Sequence, residues 1–104
     1  MTNWHINYLD LVEDWLNKLT KQQLKTVAKE LRLLGLCGNK LKMPHSKPLG
    51  NGLFELREYS YGLRLYYVFD KNREITVLHT GDKDSQENDI EKARQILKKL
   101  EAEL

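Results

Sequence analysis

Residues 52–69, GLFELREYSYGLRLYYVF, decide the fold. Phe54 and Leu56 alternate with Glu55 and Arg57, and Leu63, Leu65, Tyr67 and Phe69 alternate with Arg64, Tyr66 and Val68. A period of two is the mark of a strand with one apolar face. The intervening YSYG, residues 59–62, suits a four-residue hairpin loop. With that loop, Leu56 falls opposite Leu65 and Phe54 opposite Tyr67, so one face of the pair is consistently apolar, as burial requires. The same register sets Arg57 directly opposite Arg64. A three-residue loop would instead pair Arg64 with Glu58, but it puts Arg57 across from Leu65 and mixes the faces; the first register is preferred. Like charges facing each other across a ladder cost a few tenths of a kcal/mol up to about 1, which is poor design for stability alone. A bound anion would relieve the repulsion.

Working outward, DKNR (residues 70–73) forms a turn into a third strand, where Ile75 and Val77 alternate with Thr76, Leu78 and Thr80, with Glu74 and His79 at its margins. Before the hairpin, residues 38–52 hold both prolines and three of the six glycines. That composition reads as a loop, and at fifteen residues it is longer than a compact domain usually carries without purpose. Its GNG is turn chemistry, because no strand and helix frame it as a nucleotide cradle.

Residues 9–19 place Val12, Trp15, Leu16 and Leu19 on one helical stripe. Thr20 and Gln23 have capping-box spacing and open a second helix with Leu24, Val27, Ala28, Leu31 and Leu34 along its stripe, which Gly35 is expected to end. The two make an antiparallel helical hairpin, with a short strand expected before it at Trp4 to Tyr8. A last helix starts at Asp84 or Ser85, Asp84 and Glu87 having capping-box spacing, and carries Ile90, Ala93, Leu97, Leu100 and Leu104. The fold class is therefore α+β: an N-terminal helical hairpin, a small antiparallel β-sheet and a C-terminal helix, in one domain spanning residues 1–104.

Composition narrows the function classes. At 40% hydrophobic and 31% charged the chain is an ordinary globular domain, and its apolar runs fall far short of the ~20 residues that span a bilayer. No basic start or apolar signal core opens it, so a cytoplasmic location is expected. Cys37 is the single cysteine and reads as a small hydrophobe rather than a nucleophile. The formal net charge of +2 is unevenly spread. Residues 39–64 carry five basic against two acidic side chains, and residues 82–104 five basic against seven acidic. That spread suggests either one positive face for phosphates or an acidic partner, or a solvated loop with ordinary lysines. His5, Cys37, His45 and His79 lack ligand spacing for a metal.

KPLGNGLFELREYSYGLRLYYVF (residues 47–69) followed by ITVLHTGDKDSQENDIEKARQIL (residues 75–97) resembles the toxins of type II toxin–antitoxin modules in the RelE/ParE superfamily, in its HigB or addiction-module killer branch. The ordered set of phrases carries the likeness, more than any one motif. The resemblance implies a RelE-like fold with a curved sheet, and cleavage of messenger RNA in the ribosomal A site without metal or cofactor. It also implies a cognate antitoxin, in this branch a HigA-like helix-turn-helix protein through which alone the complex would meet operator DNA; no membrane is involved.

Arg57 ends LFELR and Arg64 stands in GLRLYY, both where RelE-type nucleases keep basic groups, and Lys83 in GDKDSQ follows the third strand where another is usual. Glu55 stands where RelE itself has lysine, and the RelE C-terminal tyrosine has no counterpart. Metal-free cleavage needs a base for the 2′-hydroxyl, cations for the phosphorane and an acid for the leaving oxygen. Arginine suits only the middle role, its forked donors matching phosphate oxygens. Arg57, Arg64 and Lys83 are thus the expected catalytic cations, with His79 as the titratable member. Lys42, His45, Lys47 and Tyr66 are expected on the RNA-binding surface, and Tyr59, Tyr61 and Tyr66 are the rings that could stack on bases. The alternative is a ParE-like toxin that inhibits gyrase without cutting nucleic acid; the clustered cations favour the nuclease.

Overall fold

The computed structural model describes residues 3–103. Strand β1 (His5–Tyr8) leads into helices α1 (Asp10–Lys18) and α2 (Lys21–Cys37), then come β2 (Ser46–Gly50), β3 (Leu53–Glu58), β4 (Leu63–Asp70), β5 (Glu74–Asp82) and helix α3 (Gln86–Ala102). The five strands form one sheet in the order β1-β5-β4-β3-β2. The hairpin register is the expected one: Phe54 faces Tyr67, Leu56 faces Leu65, and Arg57 faces Arg64.

The helical hairpin forms for the reasons its sequence carries. Val12, Trp15, Leu16 and Leu19 of the first segment and Val27, Leu31 and Leu34 of the second pack with Leu56, Leu63, Leu65, Tyr67, Ile75 and Val77 on one face of the sheet. Thr20 caps α2 reciprocally: its hydroxyl accepts from the Gln23 amide at 3.2 Å, and its own amide donates to the Gln23 side chain at 3.0 Å. Gly35 does not end the helix. Its carbonyl accepts from the Trp4 amide at 2.8 Å, while termination falls to Gly38, at φ +53°. A Cβ at Gly38 would lie 1.9 Å from Trp4 Nε1, so the Trp4 ring and the chain turn require glycine together.

Three expectations about the sheet are corrected. It is mixed rather than wholly antiparallel, because β1 runs parallel to β5. The presumed loop over residues 38–52 contains β2, an edge strand antiparallel to β3; Pro48 is tolerated at an edge, which hid it from a hydrophobic pattern. Both faces are covered, since Leu53, Tyr66, Val68 and Leu78 form a second core with Ala93, Ile90, Ile96, Leu97 and Leu100 of α3. The near-continuous apolar run LYYVF of β4 follows from this two-sided burial. Leu104, expected on the α3 stripe, lies outside the described residues. The capping box expected at Asp84 and Glu87 does not form. Ser85 is the N-cap residue, and its hydroxyl is bonded to Asp89.

Candidate functional site

Strand alternation puts Glu55 and Arg57 of β3 and Arg64 and Tyr66 of β4 on the face that α3 covers. Cross-strand pairing carries the set outward: Lys47 of β2 pairs with Glu55, Glu55 with Tyr66, and Tyr66 with His79 of β5, while Arg64 pairs with Gly81. The covering helix begins beside Gly81, where a Cβ would fall 1.8 Å from Asp89 Oδ2. The arginine pair therefore lies where the sheet face runs out from under α3.

The two guanidinium groups are held differently. Arg57, with 16% of its side chain exposed, donates through Nε to Glu55 Oε1 at 2.8 Å. Arg64, 8% exposed, donates through Nη1 to the carbonyls of Leu63 (3.1 Å) and Glu58 (3.4 Å), and its Cζ lies 5.7 Å from the centre of the Tyr59 ring. Its buried Nε has no hydrogen-bond partner among the described residues. Arg64 forms no carboxylate pair among those residues, so repulsion is answered on one side only, by Glu55. That leaves a cationic, donor-rich spot, in which an unpaired buried donor is costly until an acceptor arrives.

Glu55, noted in the sequence only for standing where RelE has lysine, proves to be a member of the site. It is wholly buried, and its two oxygens are divided between Arg57 Nε and Gln86 Nε2 of α3, each at 2.8 Å. Burial alone would raise its pKa, but the hydrogen bonds from Gln86 and Arg57, with the Arg57 charge, outweigh that and hold the carboxyl below its ordinary value. The i, i+2 spacing of Glu55 and Arg57 on one strand face was the available signal. The Gln86 contact had none. Tyr66 is fully buried and stacks on His79 with ring centres 6.2 Å apart, so it braces the site from beneath and offers no face to a base. Its hydroxyl is pushed well above the usual phenol range, first by burial and then by the Glu55 charge.

His79 accepts its position from α3: its Nε2 lies 2.8 Å from Asp89 Oδ1. Because an ionised carboxylate can only accept, this bond places the proton on Nε2 and leaves Nδ1 as the basic nitrogen. Lys83 is exposed just beyond β5, its amide bonded to the Gly62 carbonyl at 2.8 Å and its stem within reach of a Cβ built on Gly62. It borders the arginine end of the sheet. Lys47 is exposed on the edge strand in the Glu55 row. His45 is turned the other way, with Nδ1 2.9 Å from Glu30 Oε1 of α2, and Lys42 stands exposed in the loop before it. The structure thus gathers Arg57, Arg64, Tyr66 and His79 on one face with Lys47 and Lys83 at its borders, and leaves His45 outside the group.

Glu58 shapes the turn above the arginines. Its carboxylate is buried and accepts from the backbone amides of Ser60 at 2.7 Å and Tyr61 at 3.0 Å, so it does not pair with Arg64. The turn closes with Gly62 at φ +71°.

A family model described as Phage derived protein Gp49-like (DUF891) matches residues 14–100. The chain belongs to this family. A search of curated proteins finds no match. Among solved structures, the Gp49-like chain resembles the isolated RelE toxin of E. coli, with a TM-score of 0.61 at 14% identity over 76% of this chain and 83% of that one. A free-state mutant of the same toxin gives 0.65 at 14% identity, over 83% and 90% of the two chains. The toxin–antitoxin complex RelBE2 of Mycobacterium tuberculosis gives 0.59 at 20% identity, over 79% and 100%. At these identities the likeness is one of fold, and the Gp49-like chain has the RelE fold.

Proposed function

We propose that this Gp49-like chain is the toxin of a type II toxin–antitoxin module, a ribosome-dependent, metal-independent endoribonuclease of the HigB branch. The observation that carries the reading is Arg64, a buried arginine with an unpartnered Nε directly across the ladder from Arg57. In the reaction proposed, the 2′-oxygen attacks its own 3′ phosphorus, the 5′-oxygen leaves, and a 2′,3′-cyclic phosphate remains. One proton leaves the 2′-hydroxyl and one reaches the 5′-oxygen. Arg57 and Arg64 stabilise the extra phosphorane charge, for which forked donors fixed in place are most effective. His79, oriented by Asp89, is the group with a free basic nitrogen on that face. Lys47 and Lys83 neutralise flanking phosphates from the borders, and Lys42 extends the basic path along the loop.

The antitoxin partner is proposed from the RelE fold, which is also found in antitoxin complexes from E. coli and Pyrococcus horikoshii. A HigA-like helix-turn-helix protein would supply operator binding, since the net charge of +2 gives this chain little duplex affinity of its own. Inducing the protein and mapping message ends tests the function. Cuts within translated messages support it, whereas intact messages with a DNA-damage response would place the chain with the gyrase-inhibiting toxins.

A further inference from the structure

Among the described residues the only exposed aromatic side chains are Tyr59, 56% exposed, and Tyr61, 46% exposed, and both sit on the β3–β4 turn beside the arginine pair. Every other large ring is buried or half-buried in the two cores. Two exposed rings at the edge of a cationic spot call for an explanation that stability does not supply, since large apolar side chains left in water gain nothing. The two are not equivalent. Tyr59 is anchored twice: its hydroxyl donates to the Pro44 carbonyl at 2.6 Å, and one ring face lies over the Arg64 guanidinium at 5.7 Å. The ring is therefore fixed in orientation while more than half the residue stays open to solvent. No ring contact or side-chain hydrogen bond holds Tyr61 among the described residues.

We propose that Tyr59 is a preformed stacking platform for one unpaired base of single-stranded RNA, the base adjoining the phosphate seated on Arg57 and Arg64. This rests on the phosphate seat proposed above and adds to it a residue that selects how the strand lies. Recognition of single-stranded RNA relies on bases splayed onto aromatic rings, and a ring already held costs little entropy to engage. Arg64 contributes from below, because a cation on one face of a ring and a base on the other leave both ring faces occupied. The Pro44 contact fixes the height of the platform and ties it to the loop that carries Lys42.

The test uses full-length protein and a fluorescent single-stranded oligoribonucleotide, 2′-O-methylated to prevent cleavage, bound at low salt and read by anisotropy. A matching series moves one abasic ribose along the strand. Wild type should lose roughly 5- to 150-fold in affinity at one abasic position, the range of a single base–aromatic stack. Tyr59→Leu should lose a similar factor on the intact strand and then show no further loss with the abasic strand. Tyr59→Phe, which keeps the ring but loses the Pro44 anchor, should bind the intact strand more weakly than wild type yet retain an abasic penalty, and Tyr61→Leu should keep the wild-type penalty. If Tyr59→Leu still suffers that penalty, or wild type is indifferent at every position, the platform is refuted. Arg64→Ala separates the two readings. If it binds the intact strand like wild type, or wild type fails to bind at all, the phosphate seat falls and the platform with it. If it loses binding while the abasic series is flat, only the platform falls.

Discussion

Replacing Glu55 by alanine should be among the most damaging single changes in the protein. The wholly buried carboxylate accepts from Arg57 Nε and Gln86 Nε2, each at 2.8 Å, and Tyr66 lies beside it. Truncation strands two donors, Arg57 Nε and Gln86 Nε2, in a buried site and leaves a mostly buried guanidinium without its counter-charge. Removing one partner of a buried pair costs about 3–5 kcal/mol, against about 5–15 kcal/mol for the stability of a whole domain. For a chain of 104 residues, that corresponds to a fall in Tm of roughly 12–30 °C. Urea denaturation of wild type, Glu55→Ala, Arg57→Ala and the double variant measures the coupling directly. The double variant should recover part of the loss, because the stranded charge is gone. A loss below about 1 kcal/mol in Glu55→Ala, or a coupling near zero, would refute this account of the pair. The pH dependence has a definite sign. Folding lowers the Glu55 pKa, so the folded state stabilises the ionised form. That contribution is fully present above the unfolded carboxyl pKa and fades as pH falls through the lower, folded one. The advantage of wild type over Glu55→Gln should therefore shrink in acid; an advantage growing as pH drops would contradict the pairing.

Gly81→Ala forces a methyl to within 1.8 Å of Asp89 Oδ2, so Asp89 must give up His79 and Ser85, and thermal denaturation should show a loss of about 3 kcal/mol or more. A melting curve like that of wild type would mean the helix start is looser than described. Thr20→Ala removes the reciprocal cap of α2 and should cost about 1 kcal/mol by urea denaturation, with no change in message cleavage. Arg57→Lys keeps the charge but loses the Nε bond to Glu55 and the fork, and cleavage in a translating extract should fall roughly a hundredfold. Equal rates for lysine and arginine would show that charge alone suffices.

The hairpin was legible because period-two alternation and a short loop leave few registers, and only one keeps Phe54, Leu56, Leu65 and Tyr67 on a common face. The helical hairpin was legible for the same reason at period 3.6, and the Thr20–Gln23 box marked its joint. What escaped depends on partners distant in sequence. Strand β2, SKPLG, has almost no apolar pattern and exists because β3 offers it an edge. Gly35 and Gly38 look alike as terminators, and Trp4 decides between them by filling the space beside Gly38. In the site, Arg57 and Arg64 announced themselves by disturbing an apolar pattern. Glu55 stood out as a departure from a related sequence, and its i, i+2 spacing to Arg57 was the one further signal, since its second partner, Gln86, lies 31 residues away. Tyr66 was read as a surface ring because alternation gave β4 one buried face, whereas α3 buries the other too.

The central claim is that a phosphate sits between Arg57 and Arg64, and cleavage mapped position by position in a translating extract tests it most directly. Wild type is compared with Arg64→Met, which keeps the bulk of the buried stem and discards the guanidinium. The account predicts that the variant melts as a folded protein and cuts the same messages roughly 100- to 1000-fold more slowly, the effect of removing one fixed donor from a developing oxyanion. A folded Arg64→Met that cuts at the wild-type rate and positions would contradict it.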